Sequence, residues 1–156
     1  MISKQFLNDL FEYKDGHLYW KKSKRCGWEG KKAGTICNGY VQIRINKKHT
    51  YAHRLIYMIH YDEMPTYIDH IDGNPLNNKI ENLRKATNSQ NSSNSKIKST
   101  NTSGYKGVSF RSDTKKWQAA LTKDYKKISL GCYETAEEAY QAYLNGSKKH
   151  FGEFAR

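Results

Sequence analysis

Asp69 and His70 stand side by side in the stretch Tyr67-Ile-Asp-His-Ile-Asp-Gly-Asn-Pro. Asn82 follows the histidine by twelve residues, and Asn91 follows Asn82 by nine. That set holds a proton acceptor, two hard oxygen ligands for a divalent ion and an amide that can tie a loop. Together they point to chemistry on a phosphodiester. Asp69 supplies a charged oxygen and Asn91 a neutral one, and both suit magnesium or manganese. Such an ion holds the scissile phosphate and stabilises charge on the leaving oxygen. An imidazole titrates close to neutrality, so His70 can take a proton from an attacking water. Asn82 has donors and an acceptor on one side chain, enough to bind backbone on both sides of a loop. Neighbouring residues on a regular strand point to opposite faces. Asp69 and His70 therefore share a site only where the strand ends or twists. Asp72 reads as a turn residue.

Two short strands around a loop, then a helix, would bring the four residues together. The Asp-Gly and Asn-Pro pairs at 72–75 are loop formers. Thr87 and Gln90 fit a capping box, which puts Asn91 in the first turn of a helix. Unpaired amides there favour an anion or a metal-bound phosphate. Upstream, Gly39 to Asn46 alternates, with Tyr40, Gln42 and Arg44 on one face and Val41, Ile43 and Ile45 on the other. This predicts a half-buried strand, a turn at 46–49 and a return strand from Thr50. Residues 54–61 read as a short helix with Leu55, Ile56 and Ile59 on one side, stopped by Pro65. His53, at its start, reads as a locally hydrogen-bonded residue, with a catalytic or DNA-contacting role as the alternative.

Residues 96–104 are poor in apolar side chains and read as a flexible linker. Their Lys96 and Lys98 could track a phosphate backbone. Beyond them the pattern predicts three short strands and a helix. Val108, Phe110, Trp117, Ala119, Leu121, Ile128 and Leu130 form the apolar side. Thr135 and Glu138 make a second capping box, opening a helix that ends near Lys149. Ala139, Ala142, Tyr143 and Gly146 give it a stripe of mainly small residues that can lie close on the sheet.

Composition bounds the partner. The chain has 156 residues and a formal net charge of +12. Ten Lys or Arg fall between residues 16 and 54, opposed only by Glu29. That excess favours a polyanion, most simply double-stranded nucleic acid. The polar face of the 40–51 hairpin, with Arg44, Lys47, Lys48 and the following Arg54, could lie along a groove. No apolar run approaches the ~20 residues that span a bilayer. No amphipathic basic helix suggests a membrane surface, and the N-terminus lacks the apolar core of a signal peptide. Cys26, Cys37 and Cys132 lie far apart, which excludes an all-cysteine zinc site and fits reduced thiols in a cytoplasmic protein. No obligate protein partner is evident.

Asp69-His70-Ile-Asp-Gly-Asn, Glu81-Asn82-Leu and Gln90-Asn91 resemble the HNH nuclease motif of phage and intron homing endonucleases, in the variant whose last His is Asn. His53-Arg-Leu-Ile is similar to the segment that precedes the motif, and the likeness covers roughly residues 35–95. It implies a beta-beta-alpha-metal module in which Asp69 and Asn91 hold the metal, His70 is the general base and Asn82 braces the loop. It also implies a protein acting in the cytoplasm of a bacterial host, if phage-encoded. A second likeness covers about residues 103–154. Ser103-Gly-Tyr-Lys-Gly-Val, Lys116-Trp-Gln-Ala, Ser129-Leu-Gly-Cys-Tyr-Glu-Thr-Ala and His150-Phe-Gly resemble the plant ethylene-response-factor (apetala-two) DNA-binding domain. That family's sheet reads the major groove. The residues facing away from the apolar side here are Lys106, Ser109, Arg111, Gln118, Thr122 and Ser129. Plant members carry Arg at the positions of Lys106, Ser109 and Thr122 and an aromatic at Ser129. Their target does not carry over, and loss of bidentate arginines weakens direct base reading.

The sequence therefore predicts an α+β chain. Residues 1–95 form a nuclease module with a basic hairpin, 96–104 a linker, and 105–156 a three-stranded antiparallel sheet packed on one helix. The expected activity is metal-dependent hydrolysis of a phosphodiester in duplex DNA at a long site. The alternatives are a DNA-binding regulator that does not cleave, and a nuclease acting on RNA or on DNA without site preference.

Overall fold

The computed structural model describes residues 2–21, 27–97 and 99–155. Lys98, expected to follow the phosphate backbone, lies outside the described residues, as do Cys26 and the basic residues Lys22, Lys24 and Arg25. The chain forms two compact units, residues 1–85 and 86–156.

The first unit opens with α1 (Lys4–Leu10), whose Ser3 hydroxyl accepts from the Phe6 amide. It runs into a hairpin of β1 (Phe11–Lys14) and β2 (His17–Trp20). Its turn is Asp15-Gly16, both at positive φ, the arrangement whose twist matches two antiparallel strands. Next come β3 (Thr35–Cys37), β4 (Tyr40–Ile45) and β5 (Lys48–Tyr51), an antiparallel sheet in that order. Ile43 and Ile45 are buried and Arg44 is exposed, as the alternation predicts. The turn between β4 and β5 narrows to Asn46-Lys47, both at positive φ.

α2 (Ala52–Tyr61) starts two residues earlier than its apolar spacing suggested, so His53 is inside the helix. It ends on Asp62 in a left-handed conformation, before Pro65 is reached. The short side chain of Asp tolerates that conformation. β6 (Tyr67–His70) pairs with β7 (Leu83–Ala86), and a 3-10 turn at Ile80–Asn82 leads into β7. Leu7, Phe11, Leu18, Ile43, Leu55 and Ile56 make the centre of this unit's core. Burying each is worth roughly 2 kcal/mol. Half of these residues come from α1, β1 and β2, an N-terminal segment for which the sequence reading assigned no elements. β3 went unread as well, because three residues are too few for a period.

The second unit begins with α3 (Asn88–Asn94), capped by the reciprocal Thr87–Gln90 box. Its Ser93 and Asn94 are buried, and the Ser93 hydroxyl lies 3.2 Å from that of Ser147. β8 (Val108–Arg111), β9 (Lys116–Lys123) and β10 (Lys126–Tyr133) form an antiparallel sheet with β9 central. α4 (Ala136–Phe151) packs on it, opened by the Thr135–Glu138 box. Val108, Ala119 and Leu121 meet Ala139 and Tyr143 in the core. Gly146 allows the close approach: a Cβ there would stand 2.6 Å from Leu130 Cδ1. Side-chain bonds shape the turn that leads into β8. The Ser103 hydroxyl bonds the carbonyls of Tyr105 and Val108, and the Asn101 side chain bonds Tyr105 O and Gly104 N. Helices and small antiparallel sheets make the whole an α+β protein.

Candidate active site

His70 is the last residue of β6, and the strand turns at once, with the Gly73 amide donating to His70 O. The ring is buried. Its Nε2 lies 2.9 Å from Asn78 Oδ1, and Asn78 itself is only 2 % exposed. An amide oxygen can only accept, so Nε2 carries the proton and Nδ1 is the basic nitrogen.

Two rings lie against His70, and a third, Tyr51, lies against those two. His53 meets His70 edge-on at 5.1 Å between centroids. Tyr51 stacks on His53 at 5.5 Å and 11°. Tyr40 lies 5.9 Å from His53 and 6.4 Å from His70. His53 is buried, and this burial, followed by the neighbouring His70 and Arg54, pushes its pKa down to about 3. At the start of α2 it is a neutral packing surface for His70 at physiological pH.

Asn82 holds the loop between β6 and the 3-10 turn. Its Oδ1 accepts from the Asp72 amide, and its Nδ2 donates to Asp72 Oδ1 and to Asn77 O. Asp72 adds bonds from the Asn74 amide and the Asn77 side chain. Burial alone would raise the Asp72 carboxyl. The bonds from Asn77, Asn74 and Asn82 outweigh it and hold the group below its ordinary range. Asp72 is thus a turn residue, as its place in the sequence suggests, and it organises the whole loop.

Asp69 is buried beside His70 in the chain, and its Oδ2 accepts from Arg84 Nε at 2.8 Å. Arg84, on β7, fixes the carboxylate's orientation. Within the first unit Asp69 and His70 are the last two residues of β6, and Asn82 closes the loop that follows them. Asn91 sits on α3 in the second unit, half-buried, its amide donating to Thr87 O.

Of the expected DNA-contacting residues, Arg44, Lys47 and Lys48 are exposed on the β4–β5 hairpin. Arg54 donates to Thr66 O. Lys96 is exposed. In the second unit Lys106 binds the carbonyls of Ser93 and Ser95, and Arg111 is paired with Asp113. Ser109 and Thr122 are exposed and Gln118 half-buried on the sheet face away from α4, with Ser129 on the same face. Cys37 and Cys132 are free thiols.

The sequence reading missed Asn78, Arg84 and the packing role of His53. Asn78 was legible only as the third asparagine in a polar loop, after Asn74 and Asn77. Arg84 carried a signal: a cation on the strand that pairs with the one bearing Asp69.

Among the described residues no three His, Cys, Asp or Glu side chains gather to hold an ion. Asp69 in the first unit offers a carboxylate oxygen and Asn91 in the second an amide oxygen, each a hard donor of the kind that magnesium and manganese take. No helix among the described residues is long and apolar enough to cross a membrane.

A family model described as HNH endonuclease matches residues 50–93. Protein 3.8 of Escherichia phage T7 is 40% identical over 90 residues, covering 58% of this chain and 74% of the phage protein. The protein named "Uncharacterized HNH endonuclease L560" of Acanthamoeba polyphaga mimivirus is 39% identical over 106 residues, covering 66% of this chain and 54% of that protein. No solved structure matches. The matched segment runs from Thr50 to Ser93 and holds Asp69, His70, Asn82 and Asn91. The chain carries an HNH endonuclease domain and has viral relatives, one of which is named as an HNH endonuclease.

Proposed function

We propose that the protein is a metal-dependent DNA endonuclease of homing type, hydrolysing a phosphodiester in duplex DNA at a long site. One observation supports the reading: inside the matched segment the buried His70 ring has Nε2 2.9 Å from the side-chain oxygen of buried Asn78, a contact that suits the tautomer with Nδ1 as the base. Asp69 and Asn91 would hold one magnesium or manganese ion. That ion supplies charge stabilisation for the phosphate and the leaving oxygen.

The chain's own residues do the rest. His70 Nδ1 takes the proton from the water that attacks phosphorus, while Asn78 holds the ring on its far side. The P–O bond to the leaving oxygen breaks as the new P–O bond forms. Asn82 and Asp72 keep the loop, and with it Asn78, from moving. Arg84 keeps Asp69 in one orientation. Arg44, Lys47, Lys48 and Lys96 follow the DNA backbone. The second unit's sheet, with Ser109, Arg111, Gln118, Thr122 and Ser129 outward, is a second DNA contact that anchors the protein. Two weak modules on one tether gain from effective concentration, so neither needs high affinity alone.

The test is a gel. Purified protein and its His70→Ala variant are incubated with supercoiled plasmid in magnesium, in manganese and in chelator. The expected result is metal-dependent nicking or linearisation, slowed in the variant by roughly a hundredfold or more. Band retardation without relaxation by either protein would replace this reading with that of a regulator that does not cleave.

A further inference from the structure

We infer that Tyr40 and Tyr51 form a stacking platform for an unstacked base of the DNA strand next to the phosphate attacked at His70. The inference rests on the endonuclease reading and adds a contact to it. Both tyrosines are large aromatics left well exposed, 38% and 41%, at the rim of the ring cluster that includes His70. Their centroids are 5.3 Å apart, with the planes at 56°. The inner members of the cluster, His53 and His70, are buried. The exposed parts of the two rings therefore lie on the outer side of the cluster, next to the buried histidines.

The register of the sheet explains why both rings arrive there. Gln42 pairs with Tyr51 and Arg44 with His49. Tyr40, Gln42 and Arg44 on β4 thus share a face with His49 and Tyr51 on β5. This face runs from the two tyrosines to the exposed Arg44. It pairs aromatic surface with positive charge, the combination that binds an unpaired strand: bases stack while cations follow phosphates. The face ends at His70, whose ring centre is 6.4 Å from that of Tyr40. That is the scale separating a base from its own phosphate. Each aromatic face accepts any base, so the platform contributes affinity and strand geometry, and sequence preference comes from elsewhere.

Two readouts test it. In chelator, an oligonucleotide with a single 2-aminopurine is titrated with wild type, Tyr40→Ala, Tyr51→Ala and the two Tyr→Phe variants. Fluorescence reads stacking and anisotropy reads binding. Quenching is expected with wild type and the Phe variants and its loss with the Ala variants. With metal, cleavage is followed on duplexes carrying the mapped cut site, intact or with the flanking base removed. Tyr51→Ala is expected to raise KM on the order of tenfold on intact DNA, and to change nothing further where the base is missing. An equal loss on intact and abasic DNA would make the tyrosines packing partners of His53 alone and overturn the platform, as would full quenching by both Ala variants. If the wild type quenches through the tyrosines yet cuts no substrate, the platform stands and the nuclease reading falls.

Discussion

An asparagine eight positions beyond His70 decides which ring nitrogen can act as the base. Asn78 is almost fully buried, so its amide has a fixed place, and its oxygen selects the Nε2–H tautomer. Removing it leaves a buried N–H unsatisfied, at a cost of about 1–3 kcal/mol in stability. It also lets the ring adopt the other tautomer. Asn78→Ala is expected to slow cleavage by about tenfold or more with DNA affinity near that of wild type, since general-base help of ~10²–10⁴-fold depends on the tautomer. Asn78→Asp keeps an acceptor and should retain most of the rate. Full activity in Asn78→Ala would remove Asn78 from this role.

At the scale of elements, the N-terminal hairpin supports the loop that carries Asn78. Tyr13 Oη on β1 accepts the Ile80 amide at 3.1 Å. Asp15 in the hairpin turn pairs with Lys79 at 3.1 Å, an exposed contact of small value. Gly16 fits because it has no side chain: a Cβ there would meet Lys79 N at 2.9 Å, and its φ is +81°. Gly16→Ala therefore suffers twice, from a left-handed backbone and from a clash with backbone that cannot move aside. Thermal unfolding should show a loss of about 1–3 kcal/mol. The clash also displaces Asn78, so cleavage should fall by a larger factor than binding. A variant with lowered stability and unchanged rate would mean the hairpin supports the fold without tuning the loop.

The molecule as a whole is defined by its charge. Its 27 Lys and Arg against 15 Asp and Glu leave a formal charge of +12 that no internal pairing removes. On the first unit Arg44, Lys47 and Lys48 are exposed, and on the second Lys96. If these residues follow the DNA backbone, binding is largely counterion release and its logarithm falls linearly with the logarithm of salt. Each phosphate contact contributes a slope of about 0.9, so four contacts predict roughly a hundredfold loss between about 50 and 200 mM salt. Fluorescence anisotropy across that range measures it. A flat line would dismiss backbone tracking and leave affinity to specific contacts.

The sequence by itself determined what local rules govern. Alternation placed Ile43 and Ile45 inward and Arg44 outward on β4, because a strand's period of two is set by its own backbone. The Thr87–Gln90 and Thr135–Glu138 boxes announced α3 and α4, because each needs only residues three apart. The Asp69, His70, Asn82 and Asn91 spacing carried the family, and Asn82's several bonding groups foretold that it would brace the loop. The tertiary structure decided what depends on distant partners. Nothing near Ile80 foretold its bond to Tyr13, 67 residues away. No periodicity showed that His53 would be buried edge-on against His70, or that Arg84 would orient Asp69. Those arrangements follow from how helices and strands pack into one core. That packing is a property of many side chains at once, so no single stretch of sequence contains it.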